Sequence, residues 1–333
     1  MTLNFLPLSR VFKHQLLLTF DTEDFISDNS VLSLNAILES LGRYGLKAWF
    51  FLTGHMAEKL QDFPNTVDIM NEHEIGYHSS GHSVHPNIPE FTDVDEYRNA
   101  YEISLQRETA HINPLTGEVE GRGGIRALQD LFPKKKITSF RAPGCCWSPP
   151  HLEALKSLGI QFDFSADFSD SPVTFKGLTF YPYAILGNWA GKFSDYRILW
   201  TLLLRQRVVV LGLHPSLLVN QSEWDTIYYG HNPKRLTQPS PKTPREVESM
   251  FRRFNLFLKQ VEALQKAGLI DVTTNVKKST RKLRIVKSDI EKAYKKSVRW
   301  AIMMQNCEPQ FMRHHFFRFF ESATESGCNQ SDR

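Results

Sequence analysis

Short apolar segments alternate with helix-length amphipathic segments along most of this chain, and this alternation limits the fold more than any other feature. Strands that alternate with helices pair in parallel, as βαβ units. Seven such strands over about 270 residues favour a closed or nearly closed β/α barrel over a short open sheet. The predicted strands are Leu16–Phe20, Ala48–Leu52, Ile75–Tyr77, Thr138–Arg141, Phe162–Ser165, Val208–Leu213 and Leu269–Val272.

The segments between these strands have helical periodicity and often end at a glycine, as at Gly159 and Gly268. Residues 172–193 and 219–245 are rich in proline, glycine, asparagine and aromatic residues, so we predict long loops there. The predicted helices are Val31–Tyr44, Met56–Asn71, Asp93–His111, Gly124–Phe132, Pro149–Leu158 and Pro244–Ala267.

Charge divides the chain of 333 residues into two parts. Residues 277–333 contain 13 Lys/Arg against 6 Asp/Glu, a net charge of +7, so that the total of +4 leaves residues 1–276 at about −3. We therefore predict a barrel domain over 1–276 and a basic helical extension over 277–333. The main body gives no electrostatic reason to expect nucleic acid as a partner.

Within the extension, Ile290, Tyr294, Val298 and Ile302 recur every four residues opposite a face rich in lysine and arginine. Such a basic amphipathic helix either packs on the barrel, which we favour, or lies on an anionic membrane surface. Phenylalanines further along could contact the barrel, a partner subunit or a membrane-bound glycolipid enzyme. We expect disorder after Ser322. The sequence does not predict an oligomeric state.

The sequence also predicts a cytoplasmic protein. The basic extension could in addition bind this protein to a membrane surface. No run of about 18 apolar residues is available for a membrane helix. The apolar run near the N-terminus stops at Phe20 and meets acidic residues, without the small residues of a signal-peptide cleavage site. The four cysteines have neither disulfide nor zinc-ligand spacing, so we expect free thiols.

Polar residues follow the predicted strands at the points where the strands end. Asp21, His78, Arg141, Ser165 and His214 all occupy such positions. Because the carboxyl ends of the strands in a parallel barrel meet at one face, these side chains are expected to lie together. This placement is the main argument from the residues themselves for an active site.

Three carboxylates, Asp21, Glu23 and Asp24, lie within four residues of one another at the first strand end. Their mutual repulsion requires a cation or a proton. Asp21 and Glu23 point to the same side of an extended chain, so one could bind a metal while the other acts as a base. The alternative is a helix cap with an acidic first turn.

His78 and His82 are four residues apart, which allows both imidazoles to bind one metal ion from a turn or a helical face. The alternative is a pair of solvent-exposed histidines in a polar loop. Combined with the acidic cluster, the pair gives the two histidines and one carboxylate of a hydrolytic metal centre.

Two further strand ends carry candidates. Arg141 needs a carboxylate partner if it is buried, and backbone N–H groups near Gly144 could face a developing oxyanion; a structural ion pair and a turn are the alternative. His214 could be a general acid or a core histidine. Asp163 could orient a histidine or cap a turn.

Taken in order, these segments resemble the polysaccharide deacetylase family, which includes the rhizobial NodB chitooligosaccharide deacetylase. The match spans about residues 15–275, and five motifs in order at compatible spacing make it specific. The motifs are Leu18-Thr19-Phe20-Asp21, His73 to His82, Arg141-Ala142-Pro143-Gly144 with Trp147 beyond it, Asp163-Phe164-Ser165 and Leu211-Gly212-Leu213-His214.

The resemblance implies an α/β fold, a distorted (β/α)7 barrel, with a divalent metal that is usually Zn²⁺. It makes Asp21 the base that deprotonates the attacking water, Arg141 the residue that orients Asp21, and His214 the acid that protonates the leaving amine. Asp163 would tune His214. The metal ligands would be Glu23, His78 and His82, and the substrate contacts would be Gly144, Trp147 and Leu213.

Three departures from the family pattern are visible. The usual Asp-Asp pair is replaced by Asp21-Thr22-Glu23-Asp24, where same-face geometry favours Glu23 as ligand over Asp24. Ser83 replaces a proline after the second histidine. The aromatic residue of the fourth motif has no clear counterpart unless Phe168 serves.

The predicted function is metal-dependent hydrolytic removal of the acetyl group from an N-acetylhexosamine in a glycan, or in a lipid- or nucleotide-linked glycan precursor. The second hypothesis is an amidohydrolase that has the same fold but acts on a non-sugar C–N bond. A glycan-binding barrel without catalysis is the third hypothesis, and the complete set of base, ligands, arginine and acid argues against it.

Overall fold

The computed structural model of the chain describes most of the barrel domain and the first residues beyond it. The helical extension predicted around residues 290–302 lies outside the described residues, and so do Ser83 and Phe168. The described residues are 14–82, 94, 96–145, 147–166, 171–185, 207–222 and 236–282.

Seven parallel strands close into a barrel, which confirms the predicted distorted (β/α)7 fold. In ring order the strands are β1 (His14–Thr22), β2 (Trp49–Leu52), β3 (Glu74–Tyr77), β6 (Ser139–Phe140), β7 (Phe162–Ala166), β9 (Leu178–Ile185) and β10 (Val208–Leu213). Each strand pairs in parallel with the next, and β10 pairs again with β1. The carboxyl ends of all seven strands therefore lie at one face of the barrel.

Four shorter strands lie outside the ring. β4 and β5 form an antiparallel hairpin, β8 pairs antiparallel with β9, and β11 pairs in parallel with the first residues of β1. Their bounds are β4 (Ala110–Ile112), β5 (Val119–Arg122), β8 (Val173–Phe175) and β11 (Ile270–Val272).

Helices cover the outside of the barrel and bury one apolar face each. Along the first helix, Val31, Leu34, Leu38 and Leu41 repeat at helical spacing and pack in the main core. The last helix begins at a capping box between Thr243 and Glu246. The helices are α1 (Asp28–Arg43), α2 (Gly54–Leu60), α3 (Pro64–Met70), α4 (Tyr97–Arg107), α5 (Ile125–Leu131), α6 (Pro149–Ser157) and α7 (Pro244–Lys266).

Successive side chains of each strand point to opposite faces of the sheet, so the barrel has two cores, one between the sheet and the helices and one inside the barrel. Residues with one parity, such as Leu16 and Leu18 in β1, pack against the helices. Residues with the other parity point into the barrel, where Leu17 joins a second cluster made largely of aromatic rings. Asp21 and Glu23 have the same parity as Leu17, so the pleat of β1 directs them to the inside.

The structure corrects the predicted loop at residues 172–193, because β8 and β9 form within it. β9 is a full barrel strand despite Pro182, which pairs with Ala166 of β7. The predicted strand Leu269–Val272 exists as β11 but lies outside the ring of seven. Thus the predicted number of barrel strands is correct while one member is different.

Two predicted helices are also shorter than expected. The segment Met56–Asn71 is divided into α2 and α3, since Pro64 starts a new helix at its first position. Within the described residues of Asp93–His111, the helix α4 ends at Arg107, and His111 lies in β4 instead of at a helix end. Among the described residues, no helix combines the length and apolar character that a bilayer span requires.

Residues 277–282, at the start of the predicted extension, run along β8 and β9. The hydroxyl of Tyr181 donates a hydrogen bond to the carbonyl of Lys277 (3.0 Å) and accepts one from its N–H (2.8 Å). The N–H of Thr174 donates to the carbonyl of Arg281 (2.7 Å). The described start of the extension is therefore attached to the barrel, and the boundary at residue 276 stays a prediction.

Candidate active site at the carboxyl ends of the strands

Six of the predicted site residues meet in one buried group at the carboxyl-terminal face of the barrel. The end of β1 and the residue that follows it supply two acidic side chains, and the loop after β3 supplies two histidines. The positions directly after β6 and β10 supply an arginine and a histidine. The group consists of Asp21, Glu23, His78, His82, Arg141 and His214.

Asp21 lies between a permanent cation and an imidazole. Arg141 Nη1 donates to Asp21 Oδ1 at 2.5 Å, and His214 Nε2 is 3.6 Å from Asp21 Oδ2. Burial alone would raise the pKa of Asp21, but the charge of Arg141 and the hydrogen bond from His214 lower it to about 2. Asp21 is consequently an ionised carboxylate at neutral pH.

Arg141 is held from three sides. Its Nε donates to the carbonyl of Phe164 at 3.2 Å, and its guanidinium carbon lies 4.6 Å from the ring centre of Phe51. The side chain is only 1% exposed, so its charge depends on Asp21 for compensation. The predicted ion pair of this arginine is thus present and is formed with the candidate base.

Glu23 joins the two histidines. Glu23 Oε2 is 3.1 Å from Nε2 of both His78 and His82. Burial alone would raise the pKa of Glu23, but the charge of His82 and hydrogen bonds from both histidines lower it well below its usual value. Its other oxygen, Oε1, is buried and makes no hydrogen bond within the described residues.

The Glu23, His78 and His82 group fits a divalent metal. Ligand atoms about 2.0–2.1 Å from a tetrahedral Zn²⁺ are about 3.3 Å from one another, close to the spacing seen here. The Nδ1 of His78 is 2.7 Å from the carbonyl oxygen of Arg141. A proton on Nδ1 leaves the lone pair of Nε2 for a metal. Metal-binding histidines usually make such a hydrogen bond from the other ring nitrogen to a carbonyl or carboxylate oxygen.

Asp24, the alternative carboxylate ligand, has a different role. Its Oδ1 accepts the N–H groups of Ile26 (3.1 Å) and Ser27 (3.0 Å), and its Oδ2 accepts from the hydroxyl of Ser30 and from Asn220 Nδ2 (3.3 Å). These bonds fix the start of α1. The acidic cluster was interpreted either as a metal ligand or as a helix cap, and each interpretation fits one of two neighbouring residues. Glu23 lies beside the histidines, and Asp24 lies at the start of α1.

Asp163 is the second residue of β7 and is fully buried. Its Oδ1 accepts the N–H of Ser165 at 2.7 Å, while Oδ2 has no hydrogen-bond partner within the described part of the chain. Burial outweighs the favourable contacts with Ser165, His151 and Arg141 and raises the pKa of Asp163 to about 6. Its predicted influence on His214 stays a prediction.

The three predicted substrate contacts differ in exposure. Gly144 is exposed, with a φ of 57° in the short 3-10 helix Pro143–Cys145. Trp147 is 7% exposed and packs on Phe175 and Phe180, and Leu213 is fully buried. A substrate could therefore reach the backbone at Gly144, whereas the side chains of Trp147 and Leu213 serve the core.

A second buried polar contact, between Glu108 and His151, supports the histidine loop, and it was not predicted from the sequence. Glu108 Oε1 is 2.8 Å from His151 Nε2. Glu108 Oε2 accepts from the hydroxyl of Tyr77 (2.5 Å) and from the N–H of Ser80 (3.1 Å), and the hydroxyl of Ser79 donates to Oε1 (3.3 Å). No local motif identifies Glu108, because its partners lie 28 to 43 positions away.

The same loop is closely packed against α2. The N–H groups of Gly54 and His55 donate to the carbonyls of Ser79 (3.0 Å) and Ser80 (3.2 Å). A Cβ atom on Gly54 would lie 2.9 Å from the Ser80 carbonyl oxygen, so only glycine permits this approach. Ser79 itself has a φ of 69°, a left-handed conformation unusual for a residue with a side chain.

A family model described as polysaccharide deacetylase matches residues 10–162. Over these residues, slightly less than half of the chain, the sequence matches the polysaccharide deacetylase family. The matched stretch contains the acidic cluster, the two histidines and Arg141, so the family resemblance is confirmed. Asp163 and His214 lie beyond the match. The match supports a hydrolase of the deacetylase type, acting on glycans, as the general class.

Solved structures of the family resemble the chain distantly. A Mycobacterium smegmatis protein assigned as a polysaccharide deacetylase is 14% identical, with a TM-score of 0.46 over 80% of this chain and 96% of that one. A family 4 carbohydrate esterase from Streptomyces lividans, in complex with acetate, is 14% identical, with a TM-score of 0.37 over 75% and 90%.

A Bacillus anthracis protein described as a family 4 pseudoenzyme is 13% identical, with a TM-score of 0.38 over 74% of this chain and 62% of that one. A comparison with curated proteins gives no significant match. The family assignment therefore rests on the match over residues 10–162, and the barrel is defined by the strand pairing of this chain itself.

Proposed function

We propose that this chain hydrolyses the acetamide of an N-acetylhexosamine within a glycan or a glycan precursor, with a divalent metal bound by Glu23, His78 and His82. The observation that carries the proposal is the convergence of a compensated carboxylate, a histidine and a three-residue metal-ligand group in one buried cluster. A binding protein has no chemical need for this combination.

Asp21 is assigned as the base. Its Oδ1 is occupied by Arg141, so Oδ2 is the oxygen that can take a proton from the attacking water. Arg141 keeps the carboxylate ionised and fixes its orientation. The low pKa of Asp21 means that the proton is held only transiently and is passed on readily.

His214 is assigned as the acid. Its Nε2 lies 3.6 Å from Asp21 Oδ2, and its Nδ1 lies 3.8 Å from Glu23 Oε1. This placement lets a ring nitrogen hold a proton beside a carboxylate and deliver it to the departing amine. The side chain is 16% exposed, which leaves it accessible to a substrate at the barrel face.

A divalent metal, most commonly Zn²⁺ in such sites, would supply a Lewis acid that polarises the acetyl carbonyl and activates water near neutral pH. The chain contributes the ligand group and the backbone contact that orients His78. The exposed backbone at Gly144 is assigned to stabilising the negative charge that develops on the acetyl oxygen.

The test combines metal analysis with product analysis on the purified full chain. We expect near-stoichiometric zinc or a similar ion, acetate release from N-acetylglucosamine oligomers, loss of release after chelation and recovery on adding Zn²⁺. Asp21→Asn and His214→Ala should abolish release. Glu120→Gln, on the exposed hairpin strand β5, is the matched control and should be fully active.

Other outcomes separate the competing functions. Metal without acetate release would move the search to non-sugar amides. Absence of metal after reconstitution would overturn the ligand assignment and favour a binding protein. Full activity of either active-site variant would overturn the mechanism.

The proposal includes a cytoplasmic location, with the extension beyond residue 276 as the segment that would contact a membrane or a glycolipid enzyme. Its support is the basic composition of residues 277–333. Cell fractionation of the full chain and of a chain ending at residue 282 tests it. Equal distribution of the two between soluble and membrane fractions would contradict a membrane role.

A further inference from the structure

A second group of metal-ligating side chains lies where α2 meets the β4–β5 hairpin. His55 and Glu58 are three residues apart in α2, and His111 comes from β4. One ligand atom from each of the three lies within 4.8 Å of the other two. None of the three belongs to the cluster assigned to catalysis.

His55 is oriented as a metal-binding histidine is. Its Nε2 is 2.6 Å from the carbonyl oxygen of Ile112, a contact that requires the proton on this nitrogen. The Nδ1 atom therefore carries the lone pair that a metal can use. The ring of Phe25, with its centre 4.7 Å away, packs against this imidazole.

Glu58 and His111 supply the other two donors. His111 Nδ1 is 2.8 Å and 3.0 Å from the two carboxylate oxygens of Glu58. Their side chains are 29% and 30% exposed, so an ion can enter from solvent, whereas His55 is 4% exposed. A contact between Glu58 and His111 alone does not account for the position of His55, which offers a third ligand atom within 4.8 Å of the other two.

We propose that His55, Glu58 and His111 form a second divalent-metal site of the zinc type, with water completing the coordination. Two imidazoles and a carboxylate from different elements are the donor set that Zn²⁺ prefers. The ion would fix the hairpin to α2. It would also support the catalytic loop, because the N–H of His55 donates to the carbonyl of Ser80, between His78 and His82.

The test is zinc stoichiometry by equilibrium dialysis of the full-length chain, with Co²⁺ absorption as a second readout. We expect the wild-type chain to bind one equivalent more than Glu58→Gln and His111→Gln. Both substitutions are at partly exposed positions and each removes a single donor. Glu120→Gln, which removes a carboxylate from the same hairpin, is the control and should keep the wild-type stoichiometry.

A chain with both His78→Gln and His82→Gln separates this site from the catalytic one. This double variant should still bind the equivalent of zinc that Glu58→Gln loses, even if the catalytic assignment is wrong. Wild-type stoichiometry in both Glu58→Gln and His111→Gln would overturn the inference, and so would loss of all metal in the His78 and His82 double variant. Circular dichroism verifies that every variant is folded.

Discussion

Arg141 and Asp21 are both almost completely buried, and each compensates the charge of the other. A buried charge that loses its partner is strongly destabilising, because the remaining ion is neither hydrated nor paired. Stability and chemistry are therefore linked at this pair. A substitution made to test the base or its partner also changes the folding free energy.

Arg141→Gln should destabilise the protein by about 3–5 kcal/mol, because it leaves the Asp21 carboxylate buried without its cation. Acetate release should fall as well, since Asp21 loses its orientation. Urea unfolding measures the first effect. Arg122→Gln removes an exposed arginine paired with Asp130 and should leave the unfolding midpoint nearly unchanged. Equal midpoints for the two variants would contradict the importance of the buried pair.

Asp163 gives a pH-dependent prediction. Burial raises its pKa to about 6 in the folded state, above the ordinary value of 3.8. The folded state thus binds the proton more tightly than the unfolded state does. The contribution of this group to stability is complete below pH 3.8 and is lost as the pH rises through about 6.

Asp163→Asn should therefore change stability little near pH 4 and increase it at pH 8, by up to roughly 3 kcal/mol at 1.36 kcal/mol per pKa unit. The asparagine side chain is isosteric with aspartate, and its carbonyl oxygen can still accept the N–H of Ser165. Urea unfolding at the two pH values measures the difference. If Asp163 also tunes His214, the pH profile of acetate release should shift in the same variant. A gain in stability that is equal at both pH values would contradict the raised pKa.

At the scale of elements, the loop after β3 is the segment on which the site depends most. It carries both candidate histidine ligands, contains the left-handed Ser79 and is bonded on one side to α2. On the other side it is bonded to Glu108, which is itself paired with His151. The geometry of His78 and His82 is thus determined in part by residues outside the group of Glu23, His78 and His82.

Glu108→Gln should weaken metal binding by about 10-fold, the low end of the loss expected when a partner of a metal ligand is removed, because Glu108 holds the loop of His78 and His82 only through Ser79 and Ser80. The amide can still accept from Tyr77 or Ser80, but it no longer compensates His151. Competition with a chromophoric chelator measures the affinity. Tyr77→Phe, which removes one of the same hydrogen bonds and no charge, is the matched comparison and should change affinity less. Reduced stability with unchanged metal affinity would show that Glu108 has only a structural role.

The sequence predicted most elements because local periodicity and glycine or proline positions define them. β9 was missed because Pro182 and its neighbours resemble a loop, and only the parallel partners on both sides show it to be a strand. The single helix predicted over Met56–Asn71 failed at Pro64, a break that proline chemistry could have indicated.

The candidate site was predictable to the extent that its residues lie in short motifs at strand ends. Same-face geometry already favoured Glu23 over Asp24 as the ligand, and the coordinates add the surroundings: Glu23 lies beside the two histidines and Asp24 at the start of α1. Glu108, His151 and the group of His55, Glu58 and His111 depend on contacts between distant segments. Periodicity carries no information about those contacts.

For the whole molecule, His73 contributes to acid sensitivity. It is 4% exposed, and the N–H of Ala48 donates to its Nδ1 at 3.3 Å. Burial, with the nearby charges of Lys47 and Lys135, lowers the pKa of His73 to about 4 from 6.5. Because the unfolded state binds the proton more tightly, stability falls as the pH drops from about 6.5 towards 4.

His73→Gln should reduce the loss of unfolding free energy between pH 7 and pH 5 by roughly 2 kcal/mol, since this protonation step is removed. Urea unfolding of the wild type and the variant at the two pH values measures the change. The stability of the variant should still depend on pH, because His55 is also buried and has a pKa lowered to about 4. Identical pH dependence in both proteins would contradict the prediction for His73.

The closure of the barrel has a consequence for how the chain is made. The hydroxyl of Thr19 in β1 donates to the carbonyl of Leu211 in β10, 192 positions later. At about 5–20 residues per second, a ribosome needs roughly 10–40 s to synthesise the intervening segment. During that interval the nascent β1 has no closing strand, and its apolar residues are open to chaperones or to misfolding. Of the proposed catalytic residues Asp21 is synthesised first and His214 last, so no nascent chain that ends before His214 contains the complete proposed site.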